Sequence, residues 1–170
     1  MTLKVSYKEV SKEFNISLVK VYKEYAATGM TAEVGSFQPN NNTEGNGNLA
    51  LDNNLNTMWH TNWNGCQRSE TWITIDMKKE QNVAMLKYTP RQGGGTNGNI
   101  TAEEIYVSKD GQTWGEPVAT GTWANNNVVK YARFDTVSGR YVKLVATDSA
   151  SQEASKIFAS AAEIRLGFEE

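Results

Sequence analysis

The chain has 170 residues, with 17 Lys and Arg against 19 Asp and Glu and a single His, so its formal net charge at pH 7 is −2. This balance excludes the basic surface that nucleic acid or anionic lipid requires, and no apolar run approaches the roughly 18 residues of a membrane helix. The single Cys66 excludes an internal disulfide and a Cys-rich zinc site, and the first residues look too polar for a signal peptide. The length is sufficient for one domain with a substantial hydrophobic core.

Residues 1–28 differ from the rest of the chain, because they are charged and lack its richness in Asn and Gly. Apolar positions fall near helical spacing over part of this segment, whereas residues 14–22 alternate like a strand, so both interpretations stay open. We expect residues 1–28 to be a linker or the tail of an upstream module. Residues 29–170 are expected to form the main domain, with the junction at residues 26–29.

An Asn-rich tract follows, in which 10 of the 25 residues from 40 to 64 are Asn. Asn and Gly favour turns, which predicts a long loop region, and a disordered low-complexity tract is the alternative. Trp59 and Trp63 argue against disorder because large aromatic side chains need something to pack against or to bind. We expect Trp59 in the core and Trp63 exposed at a loop tip, since Asn62 and Asn64 flank it.

The rest of the chain contains short strand-like segments bounded by turn residues. In residues 71–77, Ile73, Ile75 and Met77 alternate with Trp72, Thr74 and Asp76, as in a strand with one buried face. The other segments are 82–90, 103–111, 127–135, 140–148 and 161–168. No long helical pattern separates them, so the sequence predicts an all-β protein built as an antiparallel sandwich or barrel.

The segment LALDNNLNT at residues 49–57 is a candidate cation site. Asp52, Asn54 and Thr57 would present oxygen atoms from one tight loop, and Ca²⁺ prefers oxygen ligands. The spacing is not that of an EF-hand, and a solvated Asn-rich turn is the alternative from the local sequence alone. A second acidic group would favour the metal, and Glu163 is the candidate because a carboxylate in so apolar a segment needs a partner.

Two further segments carry candidate binding residues. His60 precedes Trp63, and an exposed Trp beside polar groups is typical of a surface that stacks on a sugar ring, although a lone His is more often structural. Arg91 begins a loop with four Gly, where a surface hairpin with an inert Arg is the alternative. That loop is not a phosphate-binding P-loop, because no helix with a Lys-Ser/Thr pair follows it.

The order of these motifs resembles the discoidin, or coagulation factor 5/8 type C, family. The motifs are ALDNNLNTMWHTNW, YTPRQGGGTNGNI, EEIYVSKDGQTW, RYVKLVA and AAEIRL. Within that family the chain is most similar to the family 32 carbohydrate-binding modules of secreted bacterial glycoside hydrolases, over residues 30–168. The resemblance implies an eight-stranded antiparallel jelly-roll β-sandwich with a short N-terminal extension, a structural calcium ion, and a sugar site on loops at one end.

The resemblance also implies the site residues. In galactose-binding members a His, an Arg and an Asn hold the polar side of the sugar, while aromatic rings contact its apolar face. The corresponding sugar-binding residues here are His60, Trp63, Arg91, Asn97 with Asn99 as the fallback, and Phe158 from a late loop. The implied calcium ligands are the side chains of Asp52, Asn54, Thr57 and Glu163 and the carbonyl groups near Leu49 and Ala162.

The implied function is a non-catalytic module that binds terminal galactose, GalNAc or N-acetyllactosamine and targets a larger secreted or cell-surface bacterial glycoside hydrolase to glycans. We expect a monomer with no nucleic acid partner and no membrane insertion. The alternative is a discoidin adhesion module for protein or phospholipid, which the polar loop tips disfavour. A hydrolase is also disfavoured, because Glu103 and Glu104 are adjacent in a predicted strand and point to opposite faces, so they cannot act as a facing pair.

Overall fold

The computed structural model describes residues 2–15 and 19–170, so residues 1 and 16–18 of the expected N-terminal segment lie outside the described residues. The described part consists of strands and two short 3₁₀-helices, Gly47–Ala50 and Arg68–Glu70, without an α-helix. The all-β prediction is therefore confirmed. The strands are β1 Thr2–Tyr7, β2 Val10–Asn15, β3 Tyr22–Glu24, β4 Thr31–Val34, β5 Glu44–Gly45, β6 Met58–His60, β7 Trp72–Thr89, β8 Ile100–Ser108, β9 Ala119–Thr122, β10 Lys130–Ser149, β11 Ser160–Ala161 and β12 Glu163–Glu169.

The main sheet curls on itself because two long strands, β7 and β10, contribute to both of its layers. The first half of β7 pairs with β4 and with the second half of β10, which in turn pairs with β8. The second half of β7 pairs with β12 and with the first half of β10. Strands β9 and β3 lie at the two edges, and all pairs in this sheet are antiparallel. The two layers form a sandwich with a shared core.

Two of the predicted breaks between strands are wrong, because β7 and β10 each continue through a bend. The predicted strands 71–77 and 82–90 are one strand, with Lys78 in the left-handed region at φ 67°. The predicted strands 127–135 and 140–148 are likewise joined in β10, whose pairing with β7 shifts register twice. Local irregularities bend a strand without ending it. Each strand can therefore leave one layer and enter the other.

The core anchors the loops at one end of the sandwich. Trp59 is fully buried, as expected, and its indole Nε1 donates a hydrogen bond of 2.9 Å to the carbonyl oxygen of Ser36. The hydroxyl of Tyr88 donates to the carbonyl oxygen of Ser160 at 2.9 Å and accepts from the backbone N–H of Ile100 at 3.1 Å. These bonds tie together the end of β7, the start of β8 and strand β11. The loops that leave those strands are thereby held close to one another.

A second, three-stranded sheet of β11, β6 and β5 lies beside the main one, with β5 and β6 parallel. At the N-terminus β1 and β2 form a separate hairpin, whereas β3 pairs with β12 of the main sheet. The boundary at residue 28 stays a prediction, and β3 lies on its N-terminal side. No helix in the described ranges has the length and hydropathy needed to cross a bilayer.

Candidate functional site

A shallow depression of about 220 Å³ lies among the loops at one end of the sandwich. It is lined by Glu44, His60, Trp63, Arg91, Asn97, Glu153 and Phe158. Pairing of β6 with β11 aligns His60 with Ser160, which draws the late loop across to the His side of the depression. Five of the six predicted sugar-site residues therefore line one surface, and Asn99 does not.

His60 presents a hydrogen-bond acceptor to this depression. The residue is 1% exposed, and its Nδ1 lies 2.7 Å from the carbonyl oxygen of Thr61. A carbonyl can only accept, so Nδ1 carries the proton and Nε2 keeps its lone pair in the neutral ring. Burial lowers the pKa of His60, an effect that the bond to Thr61 and the charge of Glu44 oppose and that Arg91 reinforces. The ring is therefore neutral at neutral pH.

Two hydrogen bonds and the close approach of the Gly95 backbone hold Arg91 in place. Its Nη2 donates to Glu44 Oε1 at 3.2 Å, and its Nη1 donates to the carbonyl oxygen of Asn97 at 3.3 Å. A Cβ atom at Gly95 would lie 3.2 Å from Arg91 Nε, so the absence of a side chain lets the loop backbone approach the guanidinium. Nε itself is buried and has no hydrogen-bond partner among the described residues. Nη1 and Nη2 each carry a second N–H group, so the fixed side chain keeps donors beyond these two bonds.

The two candidate Asn residues have different roles in the fold. Asn97 lines the depression, and its Oδ1 accepts from the backbone N–H of Gln152 at 3.0 Å. Its amide Nδ2 therefore remains available as a donor. Asn99 is 1% exposed, and its Nδ2 lies 3.3 to 3.4 Å from oxygen atoms of residues 125–127. Its amide binds that neighbouring loop, so we exclude Asn99 from the site.

The aromatic residues form one wall and part of the floor. Trp63 is 46% exposed, as the sequence predicts, and its backbone N–H donates to Gln38 Oε1 at 2.9 Å. Phe158 is only 2% exposed and packs against the His60 ring with the two centroids 5.6 Å apart. Trp63 therefore offers an open indole face, whereas Phe158 mainly supports His60.

Sequence reasoning missed two carboxylates at this depression. Glu44 is the partner of Arg91, with side-chain exposures of 26% and 18% respectively. Glu153 also lines the depression and pairs with Lys156 at 2.8 Å. Glu44 is the one charged residue between positions 37 and 51. A single charge in so polar a tract could have identified it as a candidate site residue. Nothing comparable distinguishes Glu153 in the sequence.

The predicted cation loop folds around Asp52. Its Oδ2 lies 2.6 Å from Thr57 Oγ1, and its Oδ1 accepts from the backbone N–H of Asn54 at 2.9 Å. Asn53 adopts the left-handed conformation at φ 63°, which Asn tolerates well. Leu49 lies in the 3₁₀-helix that leads into this loop, and Ala162 directly precedes β12.

Glu163 contributes the distant carboxylate. It is 5% exposed and forms an ion pair with Arg165, yet neither of its carboxylate oxygens makes a well-aligned hydrogen bond in the described part of the chain. Burial raises the pKa of Glu163, and the charge of Asp52 adds to this, whereas Arg165 and the nearby backbone amides of the loop lower it. The residues 2–15 and 19–170 bring no three His, Cys, Asp or Glu side chains together as a metal cluster. Two carboxylates with neutral oxygen donors nonetheless fit Ca²⁺ chemically.

Comparison with known proteins points to one family. A model of the F5/8 type C domain matches residues 31–164. A family 32 carbohydrate-binding module of Clostridium perfringens, solved with GalNAc-β-1,3-galactose, is 31% identical, covers 86% of this chain and 99% of its own, and superposes with a TM-score of 0.74. The family 32 module of C. perfringens NanJ, solved with galactose, is 30% identical over the same shares with a TM-score of 0.71.

A longer relative is the galactose oxidase of Gibberella zeae, which is 46% identical over 106 residues. The match covers 61% of this chain but 16% of the oxidase, so the chain spans about a sixth of that relative. Because the domain model spans most of the chain and the solved modules match it nearly end to end, the chain belongs to the F5/8 type C, or discoidin, family and is similar within it to the family 32 carbohydrate-binding modules.

Proposed function

We propose that this chain is a non-catalytic carbohydrate-binding module whose depression holds a terminal galactose-configured sugar. The observation that carries the proposal is a set of complementary free groups beside an open aromatic face. His60 Nε2 offers an acceptor, the remaining guanidinium N–H groups of Arg91 and Asn97 Nδ2 offer donors, and Trp63 is half-exposed and lines the same depression. A sugar presents both hydroxyl groups and an apolar C–H face, and this arrangement accommodates both.

The configuration at O4 follows from the same groups. In galactose the axial O4 leaves the C3–C4–C5–C6 edge as a continuous apolar patch that can stack on Trp63. The axial hydroxyl projects sideways, where it can donate to His60 and accept from Arg91 and Asn97. An equatorial O4, as in glucose, would leave these groups unpaired, at a cost of roughly 1 to 3 kcal/mol for each buried group. The proposed ligands are therefore galactose, GalNAc and N-acetyllactosamine.

The two rim carboxylates support a binding role over a catalytic one. Glu44 is engaged with Arg91, and Glu153 with Lys156, so neither is left as an unpaired acid or base facing the other. The sugar-bound modules and the oxidase relative support a role as one module of a larger glycan-acting protein. We propose that this larger protein is a bacterial glycoside hydrolase, either secreted or at the cell surface. We also propose that the module itself is monomeric.

We further propose that a structural calcium ion holds the loop at residues 49–57 against β12. The side chains of Asp52, Asn54, Thr57 and Glu163 would bind it, with the carbonyl groups of Leu49 and Ala162. The support is the buried carboxylate of Glu163, whose oxygens lack well-aligned hydrogen bonds in the described part of the chain and which feels the charge of Asp52, since a divalent cation would neutralise both groups. The ion would supply stability rather than chemistry, because this loop and the depression share no residue.

The adhesion alternative has weaker support. A membrane- or protein-adhesive discoidin mouth would expose aliphatic side chains, whereas this depression is lined by His, Arg, Asn and Glu with two aromatic residues. The polar lining favours a sugar over a lipid chain.

A calorimetric titration with galactose tests the proposal. We expect the native chain to bind weakly and saturably, and Trp63→Ala to weaken binding by at least about tenfold because the stacking surface is lost. Tyr131→Ala is the matched control, since Tyr131 is similarly exposed at 44% and lies outside the depression. Circular dichroism checks that each variant is folded. Unchanged affinity in Trp63→Ala would contradict the stacking role.

A further inference from the structure

A second concave surface lies on the outer face of the main sheet and shares no lining residue with the depression. It encloses about 380 Å³, more than the depression, between the strands β4, β7 and β10 and the loop that follows β8. Its floor is built from the outward-pointing residues of three adjacent strands. We call this surface the sheet cleft, and its principal residues are Glu33, Trp72, Thr74, Trp114, Tyr141 and Lys143.

A row of polar groups crosses the floor of the sheet cleft. Glu33 of β4 is the register partner of Thr74 in β7, and Thr74 is also the partner of Lys143 in β10. Directly opposed residues in antiparallel strands have their side chains on the same face, with Cβ atoms about 5 Å apart. A carboxylate, a hydroxyl and an ammonium group therefore lie side by side.

Aromatic rings flank this row. The Lys143 ammonium lies 3.8 Å from the ring centroid of Trp114 and 5.3 Å from that of Trp72. Both indoles are partly exposed, and a flexible lysine chain lies over them. Gly111 packs closely beside the Tyr141 ring, because a Cβ atom there would lie only 3.3 Å from that ring. The absence of a side chain at Gly111 leaves this side of the cleft open. Movement of a single side chain, Lys143, would open two indole surfaces.

Thr74 provides an independent sign of a missing partner. The residue is only 9% exposed, and its hydroxyl oxygen is shielded from solvent without a hydrogen-bond partner in the described part of the chain. A buried hydroxyl left unpaired is unfavourable, and a ligand that pairs with it gains from relieving that cost. Thr74 lines the sheet cleft opposite Lys143 in the strand register, so a ligand that displaces Lys143 would come close to this hydroxyl.

The charges of the sheet cleft favour a neutral ligand. Asp76 already accepts two bonds of 2.8 Å from Arg140, and Asp110 accepts from the backbone N–H groups of Gln112 and Thr113. Glu33 and Lys143 form no ion pair within the described ranges, and their opposite charges balance. Free donors and acceptors without net charge suit a ligand rich in hydroxyl groups.

We propose that the sheet cleft is a second carbohydrate-binding site, which takes a neutral oligosaccharide stacked on Trp72 and Trp114. Lys143 moves aside to donate to the sugar, and the hydroxyl of Thr74 and the carboxylate of Glu33 pair with its hydroxyl groups. The site is independent of the depression, so a long glycan could be held at two points on one module. Two weak contacts on one chain raise the overall affinity through effective concentration.

Nuclear magnetic resonance of the tryptophan indole N–H groups, four of which remain in the Trp63→Ala chain, tests this inference. The Trp63→Ala chain is titrated with cellotriose, xylotriose, mannotriose and galactotriose, because this substitution weakens binding at the depression. We expect the Trp72 and Trp114 signals to move saturably with at least one trisaccharide, while those of the buried Trp59 and the core-packed Trp123 stay fixed. Adding Trp114→Ala should abolish the movement of the Trp72 signal.

Two variants of Thr74 test the role of its hydroxyl group in binding. Thr74→Val keeps the shape and removes the hydroxyl, and should weaken binding about fivefold without lowering thermal stability. Thr74→Ser restores a hydroxyl and should recover most of the affinity. No movement of the Trp72 and Trp114 signals with any of the four sugars would overturn the proposal, as would equal affinity in the Val and Ser variants. Either result leaves galactose binding at the depression untouched.

Discussion

Glu103 is expected to make stability fall as pH rises through the neutral range. It lies in β8 between Gly121 of β9 and Ala146 of β10, is 4% exposed, and has one carboxylate oxygen without a hydrogen-bond partner in the described part of the chain. Gly121 makes room for it, because a Cβ atom there would lie 2.7 Å from Glu103 Oε1. Burial raises the pKa of Glu103 from its ordinary 4.5 to about 7.

The magnitude follows from this difference in pKa. The native state holds the Glu103 proton more tightly than the unfolded chain does, so the native state binds more protons between pH 4.5 and about 7. Stability from this residue is fully present below pH 4.5 and is lost as pH rises through about 7. Each pKa unit corresponds to about 1.4 kcal/mol, so the loss is about 3 kcal/mol.

Urea unfolding of native chain and Glu103→Gln at a series of pH values measures this effect. The amide cannot ionise, so the free energy of unfolding of the variant relative to the native chain should rise by about 3 kcal/mol between pH 4.5 and 8. Glu104→Gln is the matched control, because it makes the same exchange at the next position on the opposite face. A difference between native chain and Glu103→Gln that stays constant within about 0.5 kcal/mol would refute the reasoning.

Three further predictions concern the depression and the proposed calcium-binding loop at residues 49–57. Asn97→Ala should abolish galactose binding in calorimetry with little change in thermal stability, whereas Asn99→Ala should destabilise the fold by about 1 to 3 kcal/mol through loss of its buried hydrogen bonds. The reverse pattern would contradict the assignment of Asn97 to the site. Galactose affinity should persist on acidification until pH falls below the ordinary imidazole range, because the lowered pKa keeps His60 neutral and able to accept; loss of binding already at neutral pH would argue against it. Calcium at a hundredfold excess over its Kd should stabilise the native chain by about 3 kcal/mol and raise its melting temperature by roughly 5 to 10 °C. Glu163→Gln should lose most of that response, and an equal response in both chains would exclude Glu163 as a ligand.

The alternating pattern of residues 71–77 illustrates what local sequence can determine. It predicts a strand with Ile73 and Ile75 inward, and both are buried in the core. The same alternation directs Trp72 and Thr74 outward, where they form the floor of the sheet cleft. The cleft itself could not be predicted, because its other members come from strands far apart in sequence whose register appears only once the sheet has formed.

The NGN sequence at residues 97–99 illustrates the opposite case. Residues two apart on an extended chain share a face, so either Asn was a candidate for the sugar site. Gly98 adopts φ 82°, a left-handed conformation that breaks the alternation and sends the two amides in different directions. A left-handed residue, Lys78, likewise bends β7 where the sequence predicts a break, whereas β10 bends at two shifts in its register with β7. Backbone handedness at single positions is set by the tertiary structure and is weakly encoded locally.

In the proposed site His60, Arg91 and Asn97 recognise an axial O4, and a pair of epimeric sugars tests this recognition. The native chain is titrated calorimetrically with galactose and with glucose in calcium-containing buffer. The two sugars differ only in the orientation of the O4 hydroxyl group. We expect galactose, GalNAc and N-acetyllactosamine to bind and glucose to bind at least about tenfold more weakly. Equal binding of galactose and glucose, or no binding of any of these sugars, would contradict the account.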